Sequence, residues 1–389
     1  MDALTQARER VRRSLGALPV LGNLTGGRAR GMDVLRLAAA TLVIVAHSYN
    51  LTNHEEPLRR FGGLEFGDIA VAVFFAISGF LVTASWCSDP RLRSFLLRRA
   101  LRILPGLWAV LVLTVLVVGL LVTELSVTHY LTSLSTWRYP LERSVVFSTR
   151  SGLPGVFTTN PYGAAVNGSL WTLPVEVTAY GGTLLLGVTG LLARRRELVL
   201  AATLALVVIQ ETVLPSASTL DTSSAASVLH WLVHFGIFYA VGAVLFLYRE
   251  RVPLSFLAAA AGLALWVLSF NTGAVTLVGQ VTLPYAVLVF GYRASEIVDR
   301  VMRRIGDLSY GTYIYAFPVQ QTIIHYDHGI GPPALIALAV PITYACAYAS
   351  WHLVERPALR LRRRLTGEPD GAARTAAVPG RRHPRPAGG

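Results

Sequence analysis

The 389-residue sequence has no lysine; all 35 basic residues are arginine. That absence excludes a P-loop lysine, Schiff-base chemistry and a lysine general base. Cysteine is nearly as scarce. Cys87 and Cys346 stand far apart in apolar stretches, which excludes a disulfide framework and a CxxC metal spacing. Charge is thin overall: charged residues make up 15% of the chain, against about 25% in an ordinary soluble domain. Apolar residues make up 53% and the mean hydropathy is +0.51. A soluble fold of this size has too little interior for so much apolar surface, and chain-wide disorder is excluded for the same reason. The class left is a polytopic membrane protein, all-α. The N-terminal arm is polar and Arg-rich rather than a short apolar run, so no cleavable signal peptide is expected.

A bilayer core takes about 20 apolar residues per helix. Ten stretches approach that length, near 33–52, 67–87, 103–123, 168–191, 198–214, 227–247, 253–271, 274–292, 308–326 and 333–354. The net charge of +13 poses a choice between nucleic acid and cytoplasmic loops, and the arginine positions decide it. With a cytoplasmic N-terminus, 29 of the 35 arginines fall on the cytoplasmic side of this map. Five fall outside (Arg59, Arg60, Arg138, Arg143 and Arg150), and Arg36 lies just within the first helix. The alternation predicts ten spans with both termini cytoplasmic, a lipid bilayer as the medium, and no nucleic-acid partner. It also predicts an Arg-rich cytoplasmic arm over 1–32, a transmembrane domain over 33–357 and a disordered basic tail over 358–389. The long outer segment from about Glu124 to Asn167 is expected to be functional or disordered.

Ionisable groups at membrane depth are functional candidates. His47 lies eleven residues beyond Arg36, or about 16 Å along a helix. It suits a general base, or a buried imidazole bonded to a neighbouring carbonyl. Glu176, on the fourth stretch, reaches a similar depth. It can orient His47 if the two helices are neighbours, or bind an acceptor hydroxyl, or serve a structural pairing. Arg98, Arg99 and Arg102 open the third stretch. Forked donors at that spacing suit phosphate groups, and equally a positive-inside stop on anionic lipid. His230 and His234 have metal-compatible i,i+4 spacing but no evident third ligand, so no metal is expected.

Six islands in order resemble acyltransferase family 3 of integral membrane proteins. They are Asp33-Val-Leu-Arg36 with His47; Val73-Phe-Phe-Ala-Ile-Ser78-Gly-Phe-Leu81; and Arg98-Arg99-Ala-Leu-Arg102-Ile-Leu-Pro105. Then come Ser169-Leu-Trp171-Thr-Leu-Pro-Val-Glu176, Leu308-Ser-Tyr310-Gly-Thr-Tyr-Ile-Tyr315 and Val354-Glu-Arg-Pro357. The family includes bacterial O-acyltransferases of surface polysaccharides, lipooligosaccharides, Nod factors and macrolides. The resemblance implies a multi-pass enzyme of the bacterial cytoplasmic membrane. It would move an acyl group, acetyl by expectation, from cytoplasmic acyl-CoA to a hydroxyl of a glycan, lipid-linked sugar or macrolide. By position it implies His47 as base with Arg36 as its same-helix partner, Glu176 as a further catalytic group, and Arg98, Arg99 and Arg102 for the CoA. Ser78, Trp171 and Tyr310 would touch substrate. Two departures stand out: Ala316 replaces a histidine, and Ala72 an acidic residue, that many members carry. A transporter is the rival class, predicting flux without acyl-CoA consumption; a membrane sensor predicts neither.

Overall fold

The computed structural model describes residues 19–24, 31–61, 63–145, 152–214, 225–292 and 296–366. Among them it is helical throughout, apart from loops and one isolated bridge between Val20 and Pro253. The helices are α1 (Gly31–Leu51), α2 (Phe66–Ser88), α3 (Leu92–Val122), α4 (Val127–Thr132), α5 (Leu134–Ser144), α6 (Thr172–Val188) and α7 (Arg196–Thr212). There follow α8 (Ala225–Leu247), α9 (Phe256–Leu268), α10 (Val275–Tyr292), α11 (Glu296–Ile305), α12 (Ser309–Tyr326), α13 (Pro332–Ser350) and α14 (Arg356–Thr366). Each of the ten apolar stretches carries a helix. Among the described residues, six helical segments are long and apolar enough to cross a membrane: α1, α2, α3, α8, α10 and α13 running into α14. Of the remaining four, α6 and α7 have 17 residues and α9 has 13.

The fourth, α12, has full length but is polar. Its 18 residues include Ser309, Thr312, Tyr313, Gln320 and Gln321, all buried. A helix surrounded by protein needs no lipid-facing stripe, only partners for its polar groups. Gln320 Nε2 donates to Ile44 O at 2.8 Å and to Ser48 Oγ at 2.7 Å. Tyr310 OH donates to Ile103 O at 2.9 Å. These bonds tie α12 to α1 and α3, and its broad flank packs on α13.

The most extensive helix pair is α2 with α8. Two glycines allow it. A Cβ on Gly79 would stand 1.9 Å from Tyr239 O, and one on Gly242 would stand 2.2 Å from Ala76 O. Only hydrogen fits at either place, so the two backbones touch.

Two π-helical segments interrupt otherwise continuous helices. In α3, Thr114–Gly119 frees a carbonyl, and Tyr130 OH donates to Val115 O at 3.0 Å. Between α13 and α14, Trp351–Glu355 forms the second, just before Pro357, which has no N–H to continue the ladder. The helix continues from there through Thr366 as α14. The rest of the expected basic tail and most of the 1–32 arm lie outside the described residues.

The long loop is ordered at its C-terminal half. Asn160 Nδ2 donates to Gln321 O and Gln321 Oε1, both at 2.9 Å. Gln321 Nε2 donates in return to Gly163 O at 3.2 Å and Ala165 O at 2.9 Å. Asn167 Nδ2 donates to Ile314 O at 2.9 Å. Residues 152–167 are thus strapped across the end of α12 that lies opposite the arginine-rich end of the bundle.

Candidate functional site

A cavity of about 280 Å³ opens between α1, α2, α3, α6 and the start of α12. On α2 its wall is the stripe Val71, Phe75, Ser78 and Val82, at alternating four- and three-residue spacing. On α6 it is Thr172, Glu176 and Tyr180 at i,i+4 steps. The two stripes face each other across a slot, and α3 adds its arginines to the wall.

Those arginines are in three different electrostatic states. Arg98 is buried and engaged. Its Nη1 lies 2.7 Å from Asp89 Oδ2, and its Nη2 donates to Asp89 O at 3.0 Å. Ser94 Oγ and Arg91 Nε also bond Asp89, at 2.6 and 2.7 Å. The Arg91 fork, with Ser94 and Arg98, holds the Asp89 carboxyl well below the usual carboxylate range against the upward push of burial. This knot forms the corner between α2 and α3. Arg102 is engaged from the other side, with Nη2 2.7 Å from Asp307 Oδ2 and Nη1 3.8 Å from Glu355 Oε2. Its guanidinium also lies over the Tyr310 ring, 5.7 Å from the centroid.

Arg99 has no carboxylate within ion-pair distance among the described residues, and its buried Nε has no acceptor. Its one recorded contact is the Tyr180 ring, 5.5 Å from the guanidinium carbon. A cavity-wall arginine with no ion pair among the described residues is the group best placed to take an anion.

Seven of the nine residues singled out in the sequence line this cavity: Arg36, Ser78, Arg98, Arg99, Arg102, Glu176 and Tyr310. Their partners correct three expectations. Arg36 does not pair with His47; its Nη1 reaches Asp307 Oδ2 at 3.2 Å. The eleven-residue offset puts the two side chains about 16 Å apart along α1. Glu176 does not bond His47 either, and accepts a hydrogen bond from Tyr180 OH, one turn along α6. Arg98 lines the cavity but is committed to Asp89 at the helix corner.

His47 and Trp171 lie outside the lining. The cavity ends at Tyr313, whose OH donates to Ser169 O at 2.8 Å and accepts from Thr172 Oγ1 at 2.6 Å. One turn further along α12, Phe317 meets the His47 ring edge-on at 5.2 Å between centroids. His47 therefore packs on the residue one turn of α12 beyond the lining residue Tyr313. Its Nδ1 is buried without a hydrogen-bond partner. A Cβ on Gly168 would stand 2.6 Å from the Phe317 ring, so that ring is held between His47 and the chain entering α6. Trp171 instead packs with Trp231 and Phe235, at 5.9 and 6.0 Å between centroids.

Asp307, Glu355, Tyr180 and Tyr313 were not singled out from the sequence. Asp307 and Glu355 had a signal: each sits in or beside an island, and a buried arginine requires a carboxylate somewhere near it. Tyr313 lies within the fifth island, and Tyr180 had no signal beyond sharing a helix face with Glu176.

The family model described as an acyltransferase domain matches residues 30–352. The chain is 29% identical over 331 residues to an O-acetyl transferase of Shigella phage Sf6, covering 83% of this chain and 94% of that protein. It is 31% identical over 373 residues to Nodulation protein 10 of Rhizobium leguminosarum bv. viciae, covering 88% of this chain and 96% of that protein. No solved structure matches.

Proposed function

This chain belongs to acyltransferase family 3, and from that membership we propose that it transfers an acetyl group from cytoplasmic acetyl-CoA to a hydroxyl of a glycan or glycosylated acceptor. It is an acyltransferase with several helices fit to span a membrane. The finer reading adds a cytoplasmic arginine end, ten spans with both termini cytoplasmic, and the bacterial cytoplasmic membrane as location. The positive-inside bias of 29 of 35 arginines supports that orientation. The sequence similarity to a protein named O-acetyl transferase supports acetyl as the acyl group.

The observation that carries the proposal is a cavity walled by Arg99, which has no ion pair among the described residues, with the buried, unbonded Nδ1 of His47 packed on Phe317, one turn of α12 beyond the lining residue Tyr313. In this reading Arg99, with Arg102 and Arg36, meets the phosphates of the donor. The pantetheine arm extends along the Ser78 and Glu176 walls toward Tyr313. His47 takes the proton of the acceptor hydroxyl as its oxygen attacks the thioester carbonyl. The C–S bond breaks, and the departing CoA thiolate recovers the proton from the imidazolium. General-base assistance of this kind is worth about 10²–10⁴-fold.

The test is mass spectrometry of cell-surface glycans and exported metabolites with and without the gene. A single missing acetyl increment is expected in its absence, restored by the wild-type gene and not by His47→Ala expressed to the same level. Restoration by His47→Ala would remove His47 from the mechanism. Substrate flux with no acetylated product would favour a transporter.

A further inference from the structure

The carboxylate of Asp307 is shared. Its Oδ2 accepts from Arg36 Nη1 at 3.2 Å and from Arg102 Nη2 at 2.7 Å. Its Oδ1 accepts from Ser309 Oγ at 2.6 Å and from Ser309 N at 3.3 Å. The serine fixes how the carboxylate is turned, and the carboxylate fixes where two arginines from two different helices end. Burial alone would raise the Asp307 carboxyl, but Arg102 and Arg36 hold it well below the usual carboxylate range, so it is ionised.

Two guanidiniums on one oxygen repel each other, and they stay together because that oxygen is charged. Glu355 is no substitute. It stands 3.8 Å from Arg102, and its own Oε1 is taken by Ser350 Oγ at 3.0 Å. Without the charge on Asp307, Arg36 on α1 and Arg102 on α3 lose the oxygen on which both converge.

We propose that Asp307 is a positioning residue for the donor site, setting the spacing of Arg36 and Arg102 so that they meet the phosphates of the acyl donor as one preformed pair. This rests on the reading above that the cavity takes acyl-CoA. Asp307 touches neither thioester nor hydroxyl; it acts through the arginines. Its removal therefore damages recognition of phosphate and spares recognition of the pantetheine arm. Loss of a merely structural contact would weaken both alike.

The full chain in detergent is titrated calorimetrically with acetyl-CoA, and with S-acetyl-pantetheine, which has the thioester and arm but no phosphate. Asp307→Asn keeps the side-chain shape and removes the charge. The Kd for acetyl-CoA is expected to rise roughly 10- to 100-fold, the equivalent of one charge-assisted hydrogen bond, while that for S-acetyl-pantetheine stays as in wild type. Asp307→Glu, which keeps the charge one methylene further out, is expected to recover part of the loss. Equal weakening of both ligands, or of neither, overturns the proposal. If Asp307→Asn does not elute as a folded species, Asp307→Glu decides by the same comparison. Wild-type protein is measured first. If it binds the two ligands equally, the phosphate-site reading itself fails, separately from any role of Asp307.

Discussion

Arg98 and Arg99 are adjacent in sequence, and the structure assigns them opposite consequences on substitution. Arg98 lies against Asp89 at 2.7 Å with both groups buried, so Arg98→Ala leaves a carboxylate without its main buried partner. Breaking a buried pair from one side costs about 3–5 kcal/mol. Arg91, more exposed, still bonds Asp89 and offsets part of that. A loss nearer 3 kcal/mol is therefore expected for Arg98→Ala. Arg99 has no ion pair to break, only the Tyr180 ring, so Arg99→Ala should cost less than about 1 kcal/mol of stability. For the donor the order reverses. One charge-assisted hydrogen bond to phosphate is worth about 1.5–3 kcal/mol, or roughly 10- to 150-fold in the acetyl-CoA Kd. Two assays on the detergent-solubilised protein separate the effects: thermal melting followed by tryptophan fluorescence, and acetyl-CoA titration. Arg98→Ala should lower the Tm markedly, and at a temperature where it is still folded should bind acetyl-CoA close to normally. Arg99→Ala should melt like wild type and bind poorly. If Arg99→Ala lost stability without losing affinity, or Arg98→Ala the reverse, the three-state description of these arginines would be wrong.

Gly79→Ala places a methyl 1.9 Å from Tyr239 O. It should destabilise the α2–α8 contact by about 1–3 kcal/mol, seen as a lower Tm, with Gly181→Ala, where nothing lies within 4 Å, as the neutral control. The Asp89 carboxyl is held below its ordinary value, so its contribution to stability is complete above about pH 4 and is lost as pH falls through the folded-state value. Melting of wild type should be insensitive to this group between pH 8 and 5 and drop below it. Asp89→Asn should start lower and lose that acid-side drop; an identical pH profile in the variant would refute the assignment.

What was legible in the sequence followed from single-residue chemistry and one-dimensional spacing. Ten apolar stretches gave ten helices, because hydropathy and helical length act locally. The islands gave the cavity, because residues at i, i+3 and i+4 share a face whatever the tertiary fold. What was not legible is which charge meets which. Arg36 and His47 share a helix, and the sequence joined them, yet Arg36 finds Asp307, 271 positions away. Glu176 was matched to His47 by depth alone, while its partner Tyr180 was four residues off on its own helix. Arg98 read as a phosphate ligand from the spacing of forked donors alone, while its partner Asp89 lies nine residues earlier. Pairings of this kind depend on how helices are arranged about α12, and hydropathy carries no record of that arrangement.

The polarity of α12 bears on how the protein is made. A segment with two glutamines, three serine or threonine hydroxyls and four tyrosines has little to gain from leaving water for hydrocarbon on its own. Its glutamine Nε2 groups donate to Ile44, Ser48 and the strapped loop, all earlier in the chain. It becomes at home in the bilayer only when those groups already stand in place and α13, emerging after it, covers its other side. The order of synthesis thus matches the order of need. The segments that insert readily come first and form a polar-lined slot, and the helix that carries the site's connections is the one that fills it late.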